Sequence, residues 1–359
     1  MPSLVAIVGD IQDGRTGGEQ YDARLIEAAK AAGLDVQQLT WSDVISDALL
    51  RLPVLWRLAH MWRSVRLSFQ LWRTSGDVLI DVWAAPYLQF WAKHTSRHIL
   101  LMVHHLRGEL EQDERLKTAE KTLIQAANRI LTVSQSSKTQ IQAYLSTESN
   151  KDIPISIIPP GFTPPNSTVK HKASVSDVSL LFVGHITRAK GVLDLLQAVV
   201  SLHVKEIWQL HIVGSTSAEP ETNQQLQTMI KKHGLQDKVK LHGRVSNADL
   251  AHLYADADIF VLPSYWEGYG IVFLEAMYVG LPVVATTAGA IPEVVQHEET
   301  GLLVNAGDVD ALQAALATLI RSPEQRRSYA QQAQVFAKQA LDWQAVEQKF
   351  QAWWDAYVG

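Results

Sequence analysis

The chain has 359 residues, of which 47% are hydrophobic and 19% are charged, and its formal net charge at pH 7 is -5. This length predicts two domains, and the composition is that of a globular protein rather than a disordered or fibrous one. The acidic balance argues against nucleic-acid binding. The lack of cysteine excludes disulfides and thiolate metal sites, as expected in a reducing compartment such as the cytoplasm.

The first part of the chain alternates short apolar runs with longer helical stretches, the pattern of a parallel sheet covered by helices. LVAIVG at residues 4–9 predicts a first strand, and it lacks the basic flank of an export signal. The stretch EQYDARLIEAAKAAG predicts the next helix, which ends at Gly33. Further predicted strands are DVQQLT, DVLIDVW, RHILLMVH and RILTVS.

Between its first strand and first helix the chain has the glycine-rich loop GDIQDGRTGGEQ, which includes Gly17 and Gly18. The spacing is not G-x-G-x-x-G, so a dinucleotide-binding loop has weak support. A plain tight turn is the alternative.

Residues 51–73 form a basic, aromatic stretch with no acidic side chain. On a helical wheel its main apolar stripe spans about 100 degrees. One interpretation buries this stripe inside the domain; the other places an aromatic, basic helix on an anionic membrane surface. The stripe residues are Leu55, Leu58, Trp62, Val65, Phe69 and Trp72; Trp56, Leu67 and Leu71 lie off it, among the arginines Arg51, Arg57, Arg63, Arg66 and Arg73.

The proline-dense segment IPISIIPPGFTPPNS predicts a domain boundary near Pro165, because neither a helix nor an interior strand persists there. The alternation then restarts with VSLLFVG, WQLHIVG, VKLHG, IFVLPS and PVVAT. We therefore expect an α/β protein with two Rossmann-like domains, residues 1–165 and 166–340, facing each other across a cleft. Residues 341–359 predict a helix that packs back on the N-terminal domain.

Two glutamates, Glu267 and Glu275, lie in PSYWEGYGIVFLEAM, which predicts a strand, a glycine loop and a helix that starts near Ile271. Parallel sheets bind ligands beyond the carboxyl ends of their strands, where free N–H groups at a helix start attract anions. The helix is otherwise apolar, so Glu275 should be partly buried and need partners such as ribose hydroxyls. The alternative is two charges that serve only the helix dipole and the solvent.

Basic and imidazole side chains follow other predicted strands. Arg188 and Lys190 precede a helix in GHITRAKG, where they could neutralise a diphosphate leaving group or simply be solvated. His104 and His105 end the strand RHILLMVH, and no acidic or histidine partner at ligand spacing suggests a metal. The D-x-D of Asp256 and Asp258 precedes a strand, the wrong sheet edge for a ligand, so it is discounted as a metal site.

The stretch PSYWEGYGIVFLEAMYVGLPVVAT, followed by AGAIPEVVQHEETGLLV, resembles the donor-site signature of retaining glycosyltransferases of family 4, which have the GT-B fold. The resemblance covers nearly all of residues 178–304. It implies a metal-independent hexosyltransferase, without a cofactor, that moves a sugar from a UDP- or GDP-sugar to a glycan or lipid hydroxyl. Family relatives also suggest a cytoplasmic protein on the inner face of the membrane. A sugar-nucleotide 2-epimerase and a non-catalytic nucleotide-sugar-binding protein are the alternatives.

The resemblance also assigns roles to residues. The two glutamates match the family's E-x7-E spacing, in which the first contacts the donor sugar and the second contacts the ribose. Lys190 matches the lysine at the diphosphate; His185 stands where the family has an arginine, which leaves Arg188 or His185 as its replacement. A histidine at the strand end contacts the sugar: His104, with His105 as the fallback. The backbone residues assigned to the donor are Gly17, Gly18, Gly268, Tyr269, Gly270, Ile271 and Val272.

Overall fold

The computed structural model describes residues 3–8, 17–39, 56–146, 152–166, 177–202, 204–205 and 207–358. The chain forms two compact units, one of Met1–Gly161 with Leu341–Gly359 and the other of Phe162–Ala340. Residues 9–16 of the first glycine-rich loop and residues 51–55 of the basic stretch lie outside the described residues.

The N-terminal unit is built on a six-stranded parallel sheet with the order β2-β1-β3-β4-β5-β6. Its central strand β4 is buried at every position, which is expected where helices cover both faces of a parallel sheet. The strands are β1 (Ser3–Ile7), β2 (Asp35–Leu39), β3 (Asp77–Asp81), β4 (Ile99–Val103), β5 (Arg129–Thr132) and β6 (Ile155–Ile157).

The helices of the N-terminal unit connect these strands, and one more comes from the end of the chain. This last helix packs on the first: the Trp343 ring lies 6.5 Å from that of Tyr21 and under the guanidinium of Arg24. The helices are α1 (Gly17–Ala31), α2 (Trp56–Trp72), α3 (Ala85–His94), α4 (Arg107–Leu110), α5 (Glu114–Ala126), α6 (Gln135–Ser146) and, numbered last in the chain, α14 (Trp343–Val358).

The C-terminal unit has a second six-stranded parallel sheet, with the order β12-β11-β10-β7-β8-β9. From β7 the chain adds strands on one side, then returns to β10 and adds strands on the other, so that β7 and β10 flank the switch point where such sheets bind ligands. The strands are β7 (Asp177–Val183), β8 (Ile207–Val213), β9 (Val239–Gly243), β10 (Ile259–Leu262), β11 (Val283–Thr286) and β12 (Gly301–Val304).

Seven helices of the described residues cover this second sheet, and they bury an apolar core that includes Phe182, Phe260 and Phe273. The loops after β7 and β10 each lead into a helix. The helices are α7 (Val192–Val200), α8 (Pro220–Lys232), α9 (Asn247–Asp256), α10 (Ile271–Tyr278), α11 (Ile291–Val294), α12 (Val309–Arg321) and α13 (Pro323–Ala337).

Helix α2 turns its apolar stripe outward. Trp62 and Trp72 expose 64% and 79% of their surfaces, whereas Leu67 and Leu71 expose 1% each. The interpretation that buries the stripe inside the domain is therefore wrong for its described side chains. The reason is that the buried side chains of Leu67 and Leu71 make the contact between α2 and the rest of the N-terminal unit. Arg63, beside them, donates to the Tyr87 hydroxyl on α3. None of the described helices is both long and apolar enough to cross a membrane.

Candidate functional site

An ion pair joins the loops that follow the neighbouring strands β7 and β10. Lys190 Nζ lies 2.7 Å from Glu267 Oε1, and the buried Ser264 hydroxyl donates to the same oxygen at 2.7 Å. Glu267 is buried, while the Lys190 side chain keeps 27% of its surface exposed. The structure thus brings together the first glutamate and the lysine that the sequence assigned to the donor. An anion arriving here would meet a lysine held in place by a carboxylate.

The backbones of these two loops touch, and Gly191 permits it. The Tyr265 amide donates to the Ala189 carbonyl at 2.8 Å. Gly191 has a φ of +67, and a Cβ on it would lie 2.0 Å from the Pro263 carbonyl oxygen. Only glycine satisfies both conditions, because the left-handed conformation and the close approach each disfavour a side chain.

The glycine loop after Glu267 ends at the start of α10. Gly270, with a φ of +93, is the residue before the helix, so the first N–H groups of α10 have no partners within the helix. The Glu267 carbonyl accepts from the Ala290 amide at 2.9 Å, which ties the loop to the segment after β11. The other residues assigned to the donor here are half-buried, namely Gly268, Tyr269, Ile271 and Val272.

Glu275 lies further along α10, with its carboxylate turned inward. The buried Tyr254 hydroxyl on α9 donates to Glu275 Oε2 at 2.9 Å. Burial raises the pKa of Glu275 from 4.5 to about 7, although the hydrogen bond from Tyr254 lowers it. The sequence predicted a partly buried carboxylate in need of partners, and the structure confirms this and adds Tyr254. The folded state binds the Glu275 proton more tightly than the unfolded chain does. The contribution of Glu275 to the free energy of unfolding therefore decreases as the pH rises from about 4.5 to 7.

Arg188 does not join the ion pair. Its guanidinium donates to the Gln225 side chain on α8 at 3.2 Å, and its amide donates to the Glu219 carboxylate at 2.7 Å. Both contacts direct Arg188 towards α8. His185, the other residue considered for the arginine position, is half-buried in the loop after β7.

In the N-terminal unit, His104 lies in a buried cluster with two carboxyl groups. His104 Nε2 is 2.9 Å from Asp22 Oδ1 on α1, and Asp81 at the end of β3 lies beside both. The sequence showed no acidic partner at ligand spacing, because Asp22 and Asp81, 82 and 23 positions upstream, meet His104 only in the folded chain. A Cβ on Gly18 would lie 3.6 Å from the His104 ring, so this glycine packs directly on the imidazole.

Charges within the cluster shift its protonation equilibria. Burial alone would lower the pKa of His104, but the charge and hydrogen bond of Asp22, together with the charge of Asp81, raise it to about 9. Burial and the neighbouring Asp22 charge raise the pKa of Asp81 to about 8. His105, the fallback for His104, instead places its ring 5.9 Å from that of Trp83.

Two acidic residues outside this cluster have structural roles. The Asp258 carboxylate accepts from the Ser179 amide at 2.8 Å, and so bonds to the start of the sheet. Asp308 caps α12, accepting from the Ala311 amide at 2.9 Å. The Asp258 contact is consistent with discounting the Asp256 and Asp258 pair as a metal site.

Comparisons with known proteins extend these observations. The family model described as glycosyl transferases group 1 matches residues 166–336. The chain is 33% identical over 233 residues to the MMP alpha-(1->4)-mannosyltransferase of Mycolicibacterium hassiacum, an alignment that covers 63% of this chain and 54% of the relative. The chain therefore spans about half the length of this curated relative.

Solved structures resemble the whole chain. Sucrose-phosphate synthase from Thermosynechococcus elongatus superposes with a TM-score of 0.81 at 23% identity, covering 100% of this chain and 99% of that one. Anabaena HepE in complex with UDP-glucose gives a TM-score of 0.75 at 20% identity, covering 99% of each chain. These likenesses confirm the GT-B fold predicted from the sequence.

Proposed function

Because the family model of glycosyl transferases group 1 matches residues 166–336 of a chain with the GT-B fold, we propose that the protein transfers a sugar from a nucleotide-diphosphate sugar to an acceptor hydroxyl and retains the anomeric configuration. The observation that carries the proposal is the Lys190–Glu267 ion pair at the switch point of the second sheet, beside the start of α10. A cation, a carboxylate and free N–H groups in one place suit a phosphate joined to a sugar.

Each side chain has a role in this reaction. Lys190 stabilises the diphosphate as its bond to the anomeric carbon breaks. Arg188 assists it only after its guanidinium leaves Gln225 on α8. Glu267 and His104 position the sugar, and Glu275 holds the ribose. The acceptor oxygen forms the new bond on the face that the diphosphate leaves, and its proton passes to the departing phosphate oxygen. Gly17 and Gly18, with the residues of the glycine loop, approach the donor through their backbones.

A ligand screen tests the proposal. We would follow the melting temperature of the full chain with UDP-, GDP- and ADP-sugars, because a ligand that binds only the folded state raises it. UDP-glucose and a mannosyl donor are the first to try, since a related structure contains UDP-glucose and a relative is named a mannosyltransferase. The donor that stabilises the chain is then offered with glycan and lipid acceptors. Transfer that vanishes in Glu267→Ala supports the assignment, whereas full activity in that variant contradicts it.

Two alternative functions predict different outcomes in these assays. A sugar-nucleotide 2-epimerase would convert UDP-N-acetylglucosamine without any acceptor, which product analysis detects. A non-catalytic nucleotide-sugar-binding protein would show the thermal shift with neither transfer nor donor hydrolysis.

The pH dependence of donor binding is expected to report on Glu275. Ribose hydroxyls donate most strongly to an ionised carboxylate, so the affinity for the nucleoside diphosphate should rise as the pH increases through about 7, by up to about tenfold between pH 6 and 8. Tyr254→Phe removes a hydrogen bond that favours the charged form, and should move this rise to higher pH.

Calorimetric titrations from pH 5.5 to 8.5 measure these effects. Glu275→Gln is the control, because it keeps the titration of the ligand's own phosphates and removes that of the carboxylate. A pH dependence that is the same in the wild type and in Glu275→Gln would contradict the role of Glu275.

We further propose that the protein lies in the cytoplasm and associates with an anionic membrane through residues 51–73. The exposed stripe of α2 supports this: Trp62, Val65, Phe69 and Trp72 face outward. Arg66 on the same helix and Arg73 just after its end are also exposed. Such a surface suits the interface of a bilayer that carries negative lipids. It would bring the N-terminal unit to a lipid acceptor.

Replacing Trp62, Phe69 and Trp72 together with serine is expected to weaken binding to anionic liposomes by at least about 100-fold, since each aromatic contributes about 1 kcal/mol or more. Flotation assays with and without anionic lipid measure it. Val335→Ser, which removes an exposed apolar side chain from α13, is the matched control and should float like the wild type. Equal flotation of the triple variant would contradict the proposal.

A further inference from the structure

The buried cluster of Asp22, Asp81 and His104 contains more ionisable groups than the proposed role of His104 needs. All three side chains are buried. Asp22 lies on α1, Asp81 at the end of β3 and His104 directly after β4. Burial of an isolated charge is costly, so these groups must satisfy one another. Their arrangement therefore determines the total number of protons that the three side chains bind.

The contacts within the cluster link the three side chains. Asp22 Oδ1 meets His104 Nε2 at 2.9 Å, and one ligand atom from each of Asp22, Asp81 and His104 lies within 4.8 Å of the other two. A hydrogen bond with the Asp22 carboxyl group is among the causes that raise the pKa of Asp81. The Trp83 amide donates to Asp81 Oδ1 at 3.1 Å. Two carboxyl groups can hydrogen-bond to each other only when a proton lies between them. The pair then carries one negative charge, which a protonated imidazole balances.

The other groups packed against His104 do not alter this balance. Tyr21 on α1 presents the edge of its ring, with centroids 5.5 Å apart, and its hydroxyl donates to the Ile158 carbonyl at 2.7 Å. Ser137 on α6 donates to the His104 carbonyl at 3.0 Å. Neither contact involves the imidazole nitrogens. Within the described part of the chain, Asp22 and Asp81 are the charged groups that face the ring.

The geometry leaves one imidazole nitrogen for a ligand. Nε2 is occupied by Asp22, and no hydrogen bond of Nδ1 is found among the described residues, while the side chain keeps 10% of its surface exposed. A proton on each nitrogen makes Nδ1 a charged donor. The ligand atoms of the three residues also lie within 4.8 Å of one another, the spacing of a cation site. The direct hydrogen bond between Asp22 and His104 favours the proton-sharing arrangement.

We propose that Asp22 and Asp81 are positioning residues that share one proton and hold His104 as an imidazolium, whose Nδ1–H donates to an oxygen of the donor substrate. The substrate part of this inference rests on the proposed glycosyl transfer, whereas the protonation of His104 does not. The raised pKa of His104 agrees with it.

Histidine titration in the intact protein tests the charge state directly. The full chain is labelled with carbon-13 and nitrogen-15 in histidine, and the His104 signal is identified by its loss in His104→Gln. We expect this imidazole to stay protonated to at least pH 8 in the wild type, and to titrate at or below about pH 6.5 in Asp22→Asn. Asp77→Asn is the matched control: it removes a carboxylate 3.6 Å from His98 on the surface of the same unit, and should leave His104 unchanged.

Kinetics test the consequence. The expected His104 pKa is about 9 in the wild type and about 6.5 in Asp22→Asn, and these values set the fraction of protonated imidazole at each pH. Loss of the protonated form should therefore lower kcat/KM of Asp22→Asn by about 30-fold at pH 8 but by less than about twofold at pH 6. A variant that was only misfolded would lose activity equally at both values. Asp81→Asn keeps one carboxylate, so we expect a smaller shift of the His104 titration.

Three results would overturn the inference. One is a wild-type His104 that titrates near pH 6.5; another is an unchanged His104 titration in Asp22→Asn. The third is one equivalent of divalent metal in the purified chain that is lost in Asp22→Asn. If the His104 titrations give the expected result but the protein turns over no donor, the protonated state of His104 is confirmed and the proposed function is wrong.

Discussion

Replacing Lys190 with methionine is expected to lower kcat for sugar transfer by about 100- to 1,000-fold, the usual effect of removing one group that stabilises developing charge. The reason lies in the position of the ammonium group, 2.7 Å from Glu267 and between the loops that follow β7 and β10. Methionine retains the length and the apolar stem of the side chain, so the loss is that of the charge. Steady-state rates at saturating donor measure it, and Lys232→Met, an exposed lysine at the end of α8, is the control.

The same substitution should destabilise the fold by about 1–3 kcal/mol, because it leaves the buried Glu267 carboxylate without its cation. The double variant Lys190→Met with Glu267→Gln separates the two effects. Removal of the second charge should restore most of the stability, as neighbouring sites couple, while activity stays low. Denaturant unfolding and transfer rates measured on the same preparations decide this. If the double variant regained activity, the ion pair would be structural and the assignment of Lys190 wrong.

Replacing Gly191 with alanine should destabilise the C-terminal unit by about 4 kcal/mol or more. Only a few physical causes produce a loss of stability this large in a single substitution. Two penalties add here. The φ of +67 is unfavourable for alanine by about 1–2 kcal/mol, and the new Cβ would lie 2.0 Å from the Pro263 carbonyl oxygen. The backbone must therefore move, and it would carry Lys190 away from Glu267.

Gly234 provides a matched control for this prediction. Its φ is +64, but a Cβ there would meet nothing within 4 Å. Gly234→Ala should therefore cost only the conformational penalty of about 1–2 kcal/mol. Equilibrium unfolding of both variants measures the difference, and equal stabilities would show that the contact between the two loops is not tight.

The features that the sequence predicted well are those that depend on local pattern. Strands that alternate with helices predicted two Rossmann-like domains, and the resemblance to family 4 implied the GT-B fold. Lys190 and Glu267 were expected in loops between a strand and a helix, and Glu275 in the helix that follows. A partly buried Glu275 followed from the apolar residues around it. Its partner Tyr254 did not, because the two lie on different helices and only the packing of α9 against the sheet brings them together.

The cluster at His104 shows the same limit more sharply. Asp22 lies inside a helix and Asp81 at a strand end, and neither carries a local sign of histidine as its partner. The polar residue Asp22 between the buried Tyr21 and Leu25 was the available signal, since a buried carboxylate needs a partner.

The outward face of α2 was unpredictable for a related reason. Two apolar surfaces lie on that helix, and the helical wheel does not say which of them packs against the domain.

The return of α14 to the first unit has a consequence for the order of folding. Val346 and Phe350 are buried, and Trp343 packs against Tyr21 on α1, so the surface of the first helix is completed by residues made more than 300 positions later. During synthesis the entire second unit must leave the ribosome before the first can close. The C-terminal unit, whose residues form one continuous segment, can therefore reach its final structure before the N-terminal unit does, the reverse of the usual vectorial order.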